Sequence, residues 1–136
     1  MEENRYMRHR PLISDSAWTR LCETPVLLAG VGGLGSHVLE SLSRLGPLTL
    51  ELWDPGVLNT PDLNRQILYT EADLGRPKVE AAAERLSQIN GELTIWPVHG
   101  ALSTGAFDAE SSLVGEPFVL FDCLDSWAAR GEVEKR

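Results

Sequence analysis

Hydrophobic and polar positions follow two different periods along the first half of this chain. An unbroken apolar run over residues 26–29 leads into a glycine-rich turn, and leucine and valine then recur at helical spacing as far as Leu45. This pattern predicts a buried strand followed by a helix with one buried face. A Gly-Pro pair ends the helix, and residues 48–54 alternate apolar and polar side chains as a second strand does. The pattern therefore predicts a strand-helix-strand unit.

The rest of the chain continues this alternation. A short helix is expected over residues 14–22, whereas residues 55–77 contain too many Gly and Pro breakers for a long element. The later expected elements are a helix over 78–89, a strand over 93–98, a weak helix over 104–114 and a strand over 118–121. Right-handed crossovers then give an α/β fold, a Rossmann-like parallel sheet in the order 3-2-1-4 with helices on both faces. Pro97 cannot donate to a ladder, so the third strand is expected at an edge.

The glycines after the first strand have the spacing of a phosphate-binding turn. Gly30, Gly32 and Gly35 follow the pattern G-x-G-x-x-G, and Gly33 lies among them. We expect the first to allow the sharp turn, the second to let the backbone approach a phosphate, and the third to let the helix pack against its strand. The N–H groups of the first helical turn would bind the anion. Asp54, roughly 20 residues further on, is expected to accept the hydroxyl protons of a ribose. These features do not distinguish NAD from ATP.

Composition narrows the classes of function. The 136 residues are 43% hydrophobic and 24% charged, as expected for an ordinary soluble chain, and the net charge of −8 argues against a general nucleic-acid or membrane-surface binder. No segment approaches the roughly 20 apolar residues of a membrane span, and the N-terminus does not resemble a signal peptide. Cys22 and Cys123 are too few for a disulfide framework or a four-thiolate zinc site. We expect a cytoplasmic protein with an arm and short helix over 1–25 and one nucleotide-binding domain over 26–136.

Four further motifs separate the possible nucleotide enzymes. They are, in chain order, Arg5-Tyr6-Met7-Arg8, Asp62-Leu63-Asn64-Arg65-Gln66, Gly75-Arg76-Pro77-Lys78, and Asp122-Cys123-Leu124-Asp125 with Arg130. A dehydrogenase has no reason to combine these motifs in this order. With them the chain resembles the E1-like family, which includes the ThiF, MoeB and HesA adenylyltransferases and the ubiquitin-activating enzymes. The resemblance covers nearly all of this chain but only about the first half of a usual member.

This resemblance implies an ATP-dependent adenylyltransferase. The expected reaction activates the C-terminal glycine carboxylate of a small ubiquitin-like sulfur-carrier protein, of the kind used in thiamin or molybdopterin synthesis, and releases pyrophosphate. ATP and Mg²⁺ are the implied cofactors. The resemblance assigns the ribose to Asp54, the phosphates to Arg65 and Lys78, the Mg²⁺ to Asp125, and supporting contacts to Asn64 and Gln66. A carboxylate nucleophile is already ionised at neutral pH, so the chemistry requires no general base.

Two features predict that the chain self-associates. By the resemblance, Arg8 serves an ATP phosphate in the active site of a partner subunit, which implies a homodimer. The strand over 118–121 is apolar throughout, and the predicted strand order leaves it at an open edge, which soluble proteins normally pair or cover. We therefore expect either that the chain is part of a longer protein or that a second chain covers this edge. Residues 126–136 are expected to begin a further helix.

Three positions depart from the family pattern. Asp62 stands where Asn is usual, Gly56 replaces a second acidic residue after strand two, and Ser126 replaces the Asn that commonly follows the last Asp. We expect the Asp62 carboxylate to pair with Arg65 or Arg76, because an unpaired anion beside ATP phosphates would be costly. These departures leave open a non-catalytic nucleotide-binding or scaffold protein. An NAD-dependent oxidoreductase also remains open, as does activation of a small molecule or a tRNA carboxamide within the same superfamily.

Overall fold

Helices and strands alternate along residues 3–125, the part of the chain that the structure, a computed structural model, describes. The elements are α1 (Asp15–Glu23), β1 (Val26–Ala29), α2 (Gly33–Leu45), β2 (Thr49–Asp54), α3 (Lys78–Ile89), β3 (Thr94–His99), α4 (Thr104–Glu110) and β4 (Val119–Asp122), with short 3₁₀ turns at Arg10–Leu12, Thr60–Asn64 and Glu71–Asp73. The predicted elements are confirmed, although α4 ends at Glu110, earlier than expected. Arg130 and the helix expected within residues 126–136 lie outside the described residues.

The four described strands form one parallel sheet in the predicted order β3-β2-β1-β4. In its middle, Leu28 of β1 is in register with Leu52 of β2 and with Phe121 of β4. β3 lies at an edge, as Pro97 required. Because the strands are parallel, their carboxyl ends meet at one edge of the sheet, and the segments that follow them converge there.

Apolar side chains cover both faces of the sheet. On one face Leu28 packs in a cluster with Leu39 of α2 and Val79 of α3. On the other face Leu27 packs in a cluster with Phe107 of α4. Burial on both faces explains why β1 is apolar at every position instead of alternating.

The segment before α1 is docked on the sheet domain. Tyr6 is buried, and its hydroxyl donates to Glu92 at 2.6 Å. Arg5 donates from Nη1 to the carbonyl of Ile89 at 3.0 Å. These contacts fix the arm near the end of α3. The proposed domain boundary at residue 25 stays a prediction.

Apolar side chains are exposed along β4, at the free edge of the described sheet. Val119 and Leu120 are 47% and 39% exposed. An apolar groove of about 430 Å³ adjoins this strand and also contacts Leu21 of α1 and Leu42 of α2. The edge therefore has the exposure that the predicted strand order implied. Within the described residues, no helix is long and apolar enough to cross a membrane.

Candidate functional site

The turn between β1 and α2 depends on its first glycine. Gly30 has φ +95°, and its N–H donates to the carbonyl of Trp53 at 2.8 Å. A Cβ at Gly30 would lie 2.7 Å from the carbonyl oxygen of Cys123. A larger residue would therefore be both strained and sterically blocked here.

The first turn of α2 is packed closely enough to require a second glycine. A Cβ at Gly35 would lie 2.0 Å from the carbonyl oxygen of Gly30. The N-cap is Gly32, which has no side chain to accept from the first N–H groups of the helix. An anionic ligand can take the place of such a cap.

Asp54, the last residue of β2, is held in front of this turn by backbone donors. Its Oδ2 accepts from Val31 N at 3.0 Å, and its Oδ1 accepts from Gly56 N at 2.7 Å. Each carboxylate oxygen can accept more than one hydrogen bond, so both can still accept from a ribose hydroxyl. The carboxylate is thus oriented before any ligand binds.

Arg65 lies over the glycine turn. A Cβ at Gly33 would be 3.4 Å from its Nε, so the side chain contacts the beginning of α2. Its Nη1 donates to Asn64 Oδ1 at 3.0 Å and sits 3.4 Å from the carbonyl oxygen of Pro61. Asn64 does not line the cleft itself, and in this structure it contacts Arg65.

Lys78, at the start of α3, pairs with Asp62. The distance from Nζ to Oδ2 is 3.6 Å, and the side chains are 14% and 17% exposed. Asp62 also accepts from Asn59 N at 2.9 Å and from Gln66 Nε2 at 3.2 Å. Our expectation of an arginine partner was therefore wrong.

The path of the loop between β2 and α3 explains why neither arginine pairs with Asp62. Arg76 pairs with Asp73 at 2.9 Å and with Glu84 at 2.6 Å. Arg65 is turned towards Asn64. The isolated bridge between Val57 and Pro77 brings the start of α3 back beside the first part of the loop. Lys78, at this start, is thereby the cation within reach of Asp62.

Buried polar contacts fix the segment after Asp62 against the turn. Tyr69 donates from its hydroxyl to the carbonyl of Val31 at 2.5 Å, and burial raises the pKa of this hydroxyl, helped by the nearby Asp54 carboxylate. Ile67 N donates to Ser36 Oγ at 3.2 Å. Gln66 is 3% exposed, and its Oε1 has no hydrogen-bond partner among the described residues.

These groups surround one cleft of about 950 Å³ at the carboxyl edge of the sheet. The cleft is lined by Gly30, Gly32, Gly33, Leu34, His37, Trp53, Asp54, Pro55, Gly56, Arg65, Gln66, Lys78, Ala101, Leu102, Ser103, Cys123, Leu124 and Asp125. Most of the predicted site residues thus lie around one cavity. Gly35 lies behind it, where it packs α2 on the turn, while Arg8 is exposed and does not line it.

Some lining residues were missed by the sequence analysis. Trp53 and the segment 101–103 form part of the wall. Position could have identified them, because Trp53 precedes Asp54 and the segment 101–103 follows β3 at the same sheet edge. Apolar side chains without a motif gave no other signal.

Asp125 is the predicted metal ligand, and it lies at the margin of the cleft. Residues 3–125 contain no group of three or more His, Cys, Asp or Glu side chains that could hold a metal ion. A preformed protein cage is therefore absent from this part of the chain. A single carboxylate still fits Mg²⁺, which proteins commonly bind through one or two carboxylates together with substrate phosphates.

The parallel sheet, the glycine turn and the carboxylate after β2 define a nucleotide-binding α/β protein. Residues 4–136 match the ThiF family, and the chain belongs to that family. It is 35% identical over 113 residues to a molybdopterin-synthase adenylyltransferase of Salmonella typhimurium, covering 83% of this chain and 44% of the relative. It is 33% identical over 138 residues to the sulfur carrier protein ThiS adenylyltransferase of Escherichia coli, covering 98% and 54%.

Solved structures share the fold. The E. coli tRNA N6-threonylcarbamoyladenosine dehydratase TcdA superposes with a TM-score of 0.84 at 27% identity, covering 96% of this chain and 54% of that one. A structure of TcdA in complex with ATP gives a TM-score of 0.78 at 29% identity, covering 90% and 49%. The chain spans about half the length of these relatives.

Proposed function

We propose that this chain is the nucleotide-binding part of an ATP-dependent adenylyltransferase that activates the C-terminal glycine carboxylate of a small ubiquitin-like sulfur-carrier protein. The observation that carries the proposal is the single cleft in which the start of α2, Asp54, Arg65, Lys78 and Asp125 meet. The named adenylyltransferase relatives support the reaction class, and they also support a carrier of the thiamin or molybdopterin type.

The proposed reaction joins the carrier carboxylate to the α-phosphorus of ATP. A carboxylate oxygen forms the new bond while the bond to the pyrophosphate oxygen breaks, so the products are an acyl adenylate and pyrophosphate. The nucleophile is ionised at neutral pH, and no side chain has to remove a proton. The main barrier is repulsion between two anions, which fixed positive groups reduce.

Each residue then has a defined role in this proposal. Asp54 binds the ribose, and the N–H groups at the start of α2 bind phosphate oxygens. Arg65 and Lys78 neutralise charge that develops on the leaving pyrophosphate. Asp125 would hold Mg²⁺, which would supply positive charge that offsets the charge of the phosphates.

We further propose that the protein is a homodimer. Arg8 is exposed and does not line the cleft of its own chain, as expected for a residue that serves a partner's site. Val119 and Leu120 leave an apolar sheet edge uncovered within the described residues. Sedimentation at tens of micromolar should give a dimer, and a strictly monomeric species would contradict the proposal for this chain.

A cytoplasmic location fits the same picture. Two cysteines, Cys22 and Cys123, are too few for a disulfide framework, so the chain does not depend on an oxidising compartment. The proposed substrates, ATP and a carrier protein, are available there. Fractionation of cells that produce the protein tests this location.

A second candidate has a related chemistry and a different substrate. The fold similarity to TcdA favours a carboxyl group attached to a tRNA as the alternative acceptor of AMP. The net charge of −8 is unfavourable for a broad nucleic-acid surface. This difference makes the carrier protein our first choice.

Pyrophosphate exchange tests the proposal directly. Labelled pyrophosphate should enter ATP only when Mg²⁺ and a carrier protein with a C-terminal Gly-Gly tail are present. Lys78→Met should abolish the exchange, whereas Arg44→Met should not, because Arg44 is an exposed residue of α2 paired with Glu40. Exchange that depends on tRNA would favour the second candidate.

Ligand-induced thermal stabilisation distinguishes the remaining functions. ATP with Mg²⁺ at 100 times its Kd should add about 2.7 kcal/mol to the free energy of unfolding. ATP binding without exchange for any carboxylate would instead indicate a non-catalytic nucleotide-binding protein. Stabilisation by NAD alone would contradict both the reaction and the proposed ligand.

A further inference from the structure

Glu51, in the middle of β2, is a buried carboxylate that the proposed reaction does not use. It is 1% exposed. Its Oε1 accepts from the indole Nε1 of Trp53 at 2.7 Å. Its Oε2 accepts from the Oγ of Ser112 at 2.7 Å and from the N–H of Ser112 at 3.1 Å. These three hydrogen bonds satisfy both carboxylate oxygens.

No ion pair to Glu51 is present within residues 3–125. Removing a carboxylate from water is costly, and neutral donors replace only part of its hydration. An apolar side chain at this interior strand position would avoid that cost. The presence of Glu51 is therefore better explained by the residues whose positions it fixes than by a contribution to stability.

The two residues that Glu51 binds belong to two chain segments, each of which contributes to the lining of the cleft. Trp53 lines the cleft, and its carbonyl accepts from Gly30 N at 2.8 Å in the phosphate turn. Ser112 follows α4, the helix whose N-cap, Ser103, also lines the cleft. Glu51 thus joins the end of β2 to the segment that covers this face of the sheet.

The proposed nucleotide pose brings its base to this wall. If the phosphates lie at the start of α2 and the ribose at Asp54, the base extends on the far side of the ribose from the phosphates. Ala101 and Leu102 line the cleft there, with the buried ring of Trp53 behind them. Because the indole N–H is bonded to Glu51 and Trp53 is only 1% exposed, this residue supports the wall from behind as part of the buried cluster against which Leu102 packs.

We propose that Glu51 is a positioning residue for nucleotide recognition, which holds the Trp53 indole and the Ser112 segment so that the base meets a fixed apolar wall. This inference rests on the proposed function, because it places the nucleotide in this cleft. Glu51 acts through Trp53 and makes no contact with the ligand. Its loss should therefore affect the base and leave phosphate binding intact.

The test compares ATP with inorganic tripolyphosphate, which has the phosphates without a base. In Glu51→Gln an amide group replaces one oxygen, so the side chain can no longer accept from both Trp53 and the Ser112 N–H. Loss of one such hydrogen bond should raise the Kd for ATP about tenfold. The Kd for tripolyphosphate, measured by competition, should change by less than about twofold. A general loss of structure would weaken both ligands.

The route through Trp53 is tested by a double-variant cycle. In a Trp53→Phe background the indole donor is gone, so adding Glu51→Gln should change ATP affinity by less than about twofold. An undiminished tenfold effect in that background would show that Glu51 does not act through Trp53. If Glu51→Gln does not fold, Ser112→Ala replaces it, since it removes one of the three hydrogen bonds at an exposed residue. We expect about a threefold loss of ATP affinity there, with tripolyphosphate unaffected.

The outcomes separate this inference from the proposed function. Wild-type protein that binds neither ATP nor tripolyphosphate overturns both. Wild-type protein that binds ATP, with variants whose ATP affinity is unchanged, overturns the positioning role alone. Equal losses for ATP and tripolyphosphate would also overturn it, because they would indicate a purely structural role.

Discussion

Replacing Asp62 by Asn should weaken the fold and strengthen ATP binding. The carboxylate pairs with Lys78 and accepts from the N–H of Asn59 and the side chain of Gln66. Asn keeps one acceptor for the backbone N–H but removes the negative charge. Lys78 then does not have to break an ion pair before it binds a polyphosphate. The phosphates also no longer lie beside a second negative charge.

The distance between the paired charges sets the scale of the effect. For unit charges 3.6 Å apart, Coulomb's law gives about 5 kcal/mol at an effective dielectric of about 20 and about 1 kcal/mol in bulk water. Both side chains retain some contact with solvent, so the gain in binding should lie towards the lower value. We expect ATP to bind about tenfold tighter, which corresponds to about 1.4 kcal/mol. The weakened cap at Asn59 should lower the free energy of unfolding by about 1 kcal/mol.

Calorimetric titration with ATP and Mg²⁺ measures the affinity, and thermal unfolding measures the stability. The matched control is Asp73→Asn. Asp73 occupies the same position in the next 3₁₀ capping box, accepts from Thr70 N at 2.9 Å, and pairs with Arg76. It does not line the cleft. This control should lose a similar amount of stability with no change in ATP affinity.

An increase in ATP affinity together with a decrease in stability is the result that this ion-pair explanation requires. If Asp62→Asn binds ATP more weakly at unchanged stability, the carboxylate contributes to ATP binding and does not oppose it. If it also removes the Mg²⁺ dependence of binding while Asp125→Asn keeps it, the metal ligand is Asp62.

Three further predictions follow from single contacts. Gly35→Ala should lower the free energy of unfolding, measured by chemical denaturation, by more than about 3 kcal/mol, because its Cβ would lie 2.0 Å from the Gly30 carbonyl oxygen. The control Gly105→Ala has open space around its Cβ and should be neutral or slightly stabilising. Asp54→Asn should reduce ATP affinity, measured by calorimetry, at least about tenfold, because one of the two acceptors for the ribose is lost. Unchanged affinity would show that Asp54 does not bind the ribose. Tyr6→Phe should lower stability by about 1 to 2 kcal/mol and speed proteolysis of the arm, because the hydroxyl donates to Glu92 and accepts from Asn90; equal cleavage rates would contradict this role of the hydroxyl.

The sheet and its order could be predicted because local signals agreed with one another. The apolar run of β1, the glycine turn after it and the period of α2 all indicate the same strand-helix unit. Pro97 added an independent constraint, since it restricts β3 to an edge. The end of α4 was less predictable, because that short helix has a weak apolar period, and Leu113, which the sequence placed within it, lies beyond its end although it belongs to the same buried cluster as Phe107.

The contacts within the site could not be predicted in the same way. Glu51 alternates with leucines in the sequence, which suggests a polar outer face for β2. Both faces of this interior parallel strand are covered, so the carboxylate is buried and takes its partners from Trp53 and Ser112. Ser112 is distant in sequence, and no local pattern marks it as a partner.

The carboxylate at position 62 determines the orientation of the Gln66 amide, whose Oε1 has no hydrogen-bond partner within residues 3–125. An ionised carboxylate only accepts hydrogen bonds, so Gln66 must donate to Asp62 from its amide nitrogen. This requirement determines the orientation of the amide. An Asn at position 62 could accept or donate, which would permit either orientation. A Cβ at Gly32 would lie 3.4 Å from Gln66 Nε2 and 3.9 Å from Oε1, so the acid at position 62 keeps the donor end of the amide nearest the turn that favours anions.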